Sequence, residues 1–270
     1  MSDTARATWQ IVGARELRDL WLGGKALSLI LIYTVLLGIY AYLFASNAEL
    51  NLLPLNEVVQ EIVKASIGVG VFICLTIGAD SFSGERERAT LESLLLTPTS
   101  RRQITVGKFL AAISPWIVAP VLAVPYWITL AKGDAVLGPT ALWGVVLGTL
   151  LAPAFTGLGM LVSIWCNSNK TSMLVSVGVF LVLMLPAGFG PTERAAELTQ
   201  RSDFLQWVNP MAATARFLQA TAHHTPVHDL WAWMTTPILF PIIVLVLLFA
   251  VAGPGLRLDA GSNRLWSTPT

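Results

Sequence analysis

Six long apolar runs separated by short polar connections set the pattern of this chain. They predict membrane-spanning helices at about 26–45, 57–79, 101–130, 139–166, 171–189 and 230–252. Each is near or above the roughly 20 residues that cross a bilayer core as a helix. Ahead of the first run, residues 1–25 read as an amphipathic N-terminal helix. Trp9, Val12, Leu17, Leu20 and Trp21 alternate with Arg15, Glu16, Arg18 and Asp19 at roughly helical spacing. Such a helix lies in the membrane interface, and Gly23-Gly24 ends it.

Within the runs, local chemistry predicts the details. Asn56 is placed to cap the second span. Gly68, Gly70, Gly78, Gly157 and Gly159 permit close helix contact. Ser100 and Gln103 match a capping box at the start of the third span, and Pro115, Pro120 and Pro125 predict a kinked or broken helix there. Residues 167–170 form a tight polar turn. The longest polar region, 190–226, predicts two short interfacial helices, around Leu205–Trp207 and Phe217–Leu218. Residues 253–270 read as a tail.

Composition agrees with a membrane class. The chain is 54% hydrophobic and only 12% charged, with mean hydropathy +0.67, against about 25% charged for soluble domains. Cys74 and Cys166 fall in or beside spans, which argues against a disulfide framework. The N-terminus lacks the pattern of a cleaved leader, so the first span is expected to remain as an anchor. Six spans put both termini on one side. Twelve of the 17 Lys and Arg residues fall on that side, which predicts cytoplasmic termini and an inner-membrane, multi-pass protein.

The densest charge is an island at 80–108. Ser83 reads as the N-cap of a short amphipathic helix over 83–96, with Glu85 and Glu87 near its start. Ala89, Glu92 and Leu95 share one face, and Leu91 and Leu94 form an apolar stripe. Thr97-Pro98 stops the helix. On pattern alone, a solvated loop with a helical turn fits equally well.

No GxxxxGK[ST] loop occurs, so no nucleotide is expected to bind by that route. The apolar runs are read as lacking interior ionisable groups, which argues against ion-driven transport. His223, His224 and His228 read as surface residues, with no metal site, and no catalytic constellation or nucleic-acid patch is seen.

The run Gly84-Glu85-Arg86-Glu87-Arg88-Ala89-Thr90-Leu91-Glu92-Ser93-Leu94-Leu95, then Thr97-Pro98, Arg101-Arg102 and Gly107-Lys108, resembles the signature of permease subunits of type-2 ABC exporters. Ala89 stands where that family usually has glycine. The segment 163–172 and Trp207-Val208-Asn209-Pro210 are similar to two further family elements. The resemblance implies an all-α, six-span permease whose helix 83–96 is a cytoplasmic coupling helix. Glu85, Arg86, Arg88, Thr90, Leu91, Glu92, Leu94, Leu95 and Pro98 would then contact a separate ATPase subunit. It also implies a second permease copy or homologue in the bilayer, with ATP and Mg held by the partner ATPase and no cofactor in this chain. The function implied is export. The alternatives are an ATPase-coupled complex that relays force to an outer partner without moving solute, and a stand-alone carrier or scaffold.

Overall fold

The computed structural model describes residues 3–46, 54–90, 100–133, 135–188, 206–222 and 230–255. The described elements are helical: α1 Asp3–Leu22, α2 Lys25–Ser46, α3 Leu55–Glu87, α4 Arg101–Ala131, α5 Leu137–Trp165, α6 Asn169–Gly188, α7 Pro210–Ala222 and α8 Trp231–Gly255. Five of them, α2, α3, α4, α5 and α8, are long and apolar enough to cross a membrane, and α6 is a shorter apolar helix. The chain is an all-α membrane protein. The histidines of 223–228, most of the region 190–226 and the tail from 256 lie outside the described residues.

The bundle is built on α3 and α5, whose apolar stretches are the most buried of the five. They touch backbone to backbone. A Cβ on Gly78 would stand 2.4 Å from the Thr156 carbonyl oxygen, and one on Gly159 would stand 2.2 Å from that of Leu75. Small residues allow this approach, and packing drives it, because lipid supplies no hydrophobic force between helices. Alongside, Gly70 and Gly148 leave room for the Trp116 ring of α4, whose indole N–H donates to Thr149 Oγ1 at 3.1 Å. The helix α2 stands outside, with Ala26, Tyr33 and Leu37 as its buried positions.

Several local expectations change. α3 begins at Leu55 with Pro54 at its cap position and no side-chain cap, so Asn56 lies inside the helix. α4 runs unbroken through its three prolines. The carbonyl of Ala111, which Pro115 cannot satisfy, accepts instead from the Ser114 hydroxyl at 2.8 Å. Ser100 does cap α4, accepting from the Gln103 N–H. α8 continues through Gly253-Pro254 to Gly255.

The apolar positions of α7 pack into the bundle. Phe217 and Leu218 are fully buried, and Phe217 packs edge-on against Trp143 at 5.1 Å. Asn209 caps α7, its Oδ1 accepting from the N–H groups of Met211 and Ala212 at 2.9 and 3.1 Å. Its Nδ2 donates to the Leu183 carbonyl at 2.9 Å. Pro210, at the first helical position, loses no bond there. Asparagine followed by proline is thus a helix start pinned to α6.

Gly159→Ala is expected to destabilise the protein by about 2–3 kcal/mol, because backbone on both sides leaves the methyl no space. Gly138→Ala, where nothing lies within 4 Å of the added carbon, is expected to stay within about 0.5 kcal/mol of the parent. Thermal unfolding in detergent micelles compares the two.

Candidate functional site

The charged island does not form as a separate helix from Ser83. α3 continues through it to Glu87. At 1.5 Å per residue its 33 residues span about 50 Å, well beyond the roughly 30 Å of a bilayer core. Its C-terminal stretch, Asp80–Glu87, carries four charged residues and forms an overhang on that length. Ser83 is buried in mid-helix, where its hydroxyl donates to the Ala79 carbonyl at 2.7 Å. Glu85 and Glu87 therefore sit in the last turns of a helix, not the first.

What ends α3 is a Schellman motif. The Ala89 N–H donates to the Arg86 carbonyl at 3.1 Å and the Thr90 N–H to that of Glu85 at 3.0 Å. Ala89 adopts φ +56°, the left-handed conformation that glycine takes without cost and that strains an L-residue by about 1–2 kcal/mol. This is the position at which the sequence departs from the exporter pattern.

Around the overhang, side chains from five other helices converge. Lys108, near the start of α4, has 2% of its side chain exposed. Its ammonium donates to Glu85 Oε1 of α3 at 2.6 Å and to Glu16 Oε1 of α1 at 3.0 Å, and it lies 5.8 Å from the Phe82 ring. Glu85 Oε2 is buried and accepts no hydrogen bond from the described residues. Gly107 is what lets α1 come so near. A Cβ there would meet Gly13 N and Val12 Cγ1 at 2.9 Å. The Gly-Lys pair therefore combines a close helix crossing with the charge that fastens it.

The other contacts extend the knot. Lys25 of α2 pairs with Asp80 Oδ2, and Asn169 of α6 donates to Asp80 Oδ1 at 2.8 Å. Ser163 Oγ of α5 accepts from the N–H groups of Phe82 and Ser83 at 3.0 and 2.8 Å. Ser172 of α6 donates to the Ala79 carbonyl at 2.8 Å. Arg86 reaches the Cys166 carbonyl and, at 3.4 Å, the Ile164 carbonyl. It thus places a cation on the C-terminal end of α5, where the helix dipole favours it.

Of the residues predicted to contact a partner, Glu85 and Arg86 are thus spent inside the chain. Arg88 and Thr90 are exposed, and Leu91, Glu92, Leu94, Leu95 and Pro98 lie outside the described residues. Sequence reasoning missed Glu16, Asp80, Ser163, Asn169 and Ser172 as partners. One signal was present: Lys108 is a lone charge inside an apolar run, directly after a glycine. The runs are not free of ionisable groups either, since a Glu61–Lys64 pair also sits within α3. Among the described residues no group of His, Cys, Asp and Glu has metal-binding geometry.

The model of the ABC-2 family transporter protein matches residues 17–253. The chain belongs to the ABC-2 transporter family. Within that family it is 29% identical over 161 residues to the "Probable multidrug ABC transporter permease YbhR" of Escherichia coli K12, covering 57% of this chain and 40% of the relative. It is 31% identical over 143 residues to the "ABC transporter permease protein NatB" of Bacillus subtilis 168, covering 47% of this chain and 35% of the relative. The matches thus span well under half the length of these relatives. This ABC-2 chain is a multi-pass membrane protein whose polar knot, apart from Glu16, lies inside the matched region.

Lys108→Met is expected to cost about 3–5 kcal/mol, because two carboxylates lose their shared, buried counter-ion. Adding Glu85→Gln removes one stranded charge and should restore part of the loss. Thermal unfolding of both variants in one detergent, at neutral pH, measures this; additive losses would show that the groups do not interact.

Proposed function

We propose that this chain is the permease subunit of an ATP-driven exporter, working with a separate ATPase subunit. The observation that carries the reading is the anchoring of the two helix ends that flank residues 91–99. α3 ends in the Schellman turn at Thr90, and α4 begins at the Ser100 cap. Both roots are tied by Lys108 and Glu85 to each other and to α1. A push delivered between these helix ends moves α3, α4 and α1 together.

On this reading the coupling element is shorter than the helix expected at 83–96. Leu91, Glu92, Leu94, Leu95 and Pro98, with the exposed Thr90, make the contact, and Arg88 lines the cavity beside the knot. Glu85 and Arg86 instead transmit it. ATP and Mg are held by the ATPase, and this chain contributes no catalytic group. A second permease copy or homologue completes the pathway, against apolar faces left exposed on α2 and α8. The termini lie on the cytoplasmic side with the ATPase.

The test is Glu92→Arg in the assembled complex. Transport in vesicles is expected to fall at least about ten-fold, since a like or unpaired charge at a contact costs more than 1.4 kcal/mol, while membrane insertion and the amount of permease are unchanged. Transport at the parental rate removes the coupling role.

A further inference from the structure

A cavity of about 480 Å³ opens beside the knot, between α1, the starts of α2 and α6, the overhang of α3, and α4. That volume is in the range of small-molecule sites. Its lining is mixed: Leu29, Ile77 and Met173 contribute apolar surface beside several charged groups. Most of those charges are already engaged, Lys25 with Asp80 and Lys108 with Glu16 and Glu85.

Three are not. Arg15 and Asp19 face each other at 3.8 Å with 70% and 67% of their side chains exposed. That is too long for a hydrogen bond and too exposed for a pair of much strength. The Arg88 side chain makes no hydrogen bond or ion pair with the described residues. Among the described residues, two guanidiniums and one carboxylate of the lining thus have no strong partner, beside apolar side chains of the same cavity.

We propose that this cavity binds the headgroup of a zwitterionic phospholipid from the adjoining leaflet. Arg15 and Arg88 take the phosphate, which guanidinium matches in geometry and charge. Asp19 takes the ammonium, and the glycerol end lies against Leu29, Ile77 and Met173. A purely anionic lipid satisfies the arginines but sets like charge against Asp19, and a cationic amphiphile does the reverse. The sequence of α1 suits the role, since amphipathic helices with arginines and tryptophans are of the kind that lie at headgroup depth. The inference rests on the chain being in a membrane and not on the coupling role of 91–99.

The test is native mass spectrometry of the full chain after delipidation. It is titrated with short-chain phosphatidylethanolamine, short-chain phosphatidylglycerol and the soluble headgroup glycerophosphoethanolamine. Phosphatidylethanolamine is expected to bind roughly ten-fold tighter than either of the others. Arg15→Gln and Arg88→Gln should each weaken it about ten-fold, one charge-assisted contact being lost, and Asp19→Asn should close the gap to phosphatidylglycerol. All three side chains are exposed, so the fold survives the changes, and thermal unfolding without lipid checks this. Equal binding of the two lipids overturns the zwitterion assignment. Equal binding of the soluble headgroup overturns the lipid, and parental affinity in Arg15→Gln overturns the site.

Discussion

An ammonium with almost no exposed surface, held between carboxylates from two other helices, governs the polar end of this protein. Taking such a charge out of water costs several kcal/mol, which only well-placed partners offset. Lys108 has them in Glu85 and Glu16, at 2.6 and 3.0 Å. Because the three residues lie on α4, α3 and α1, the electrostatic requirement is also a mechanical one. None of the three helix ends can move away without leaving a buried charge unmatched. The glycine contacts complement it, since Gly107 against Gly13 sets the α1 crossing and Gly78 against Gly159 sets the α3–α5 axis.

This constraint relates fold to function. The type of motion an ATP-driven permease needs is transmitted through rigid, packed elements that have discrete arrangements, not through pliant loops. The segment 91–99 is rooted in such elements on both sides. Arg86 on the end of α5, and Asp80 with Lys25 and Asn169, extend the attachment to α5, α2 and α6. A displacement delivered there therefore reaches most of the bundle within two contacts.

Much of this was legible in the sequence. Apart from the end of α3, expected at 79 and found at Glu87, the apolar runs gave the helices to within a few residues, Gly23-Gly24 the break after α1, and Ser100-Gln103 the α4 cap, because each depends on local chemistry. The helix start expected at Ser83 was misplaced for a different reason. Serine followed by acidic residues looks like a helix start, but Phe82 and Ser83 are buried against α5 and α6, and tertiary contact carries α3 four residues further. The fate of Phe217 and Leu218 was hidden likewise, since amphipathic spacing does not say whether the apolar side meets lipid or protein. Glu16 and Asn169 lie 92 and 89 residues from their partners, a distance across which one sequence carries no pairing signal.

Amide hydrogen exchange, read along α1 and along Asp80–Thr90 in the parent and in Lys108→Met, tests the central claim most directly. If the buried charge fastens these elements together, both stretches are protected in the parent and lose protection together in the variant, while α7 at the opposite end keeps its own. Free exchange of α1 in the parent, or a loss confined to the turn around residue 108, would contradict the account.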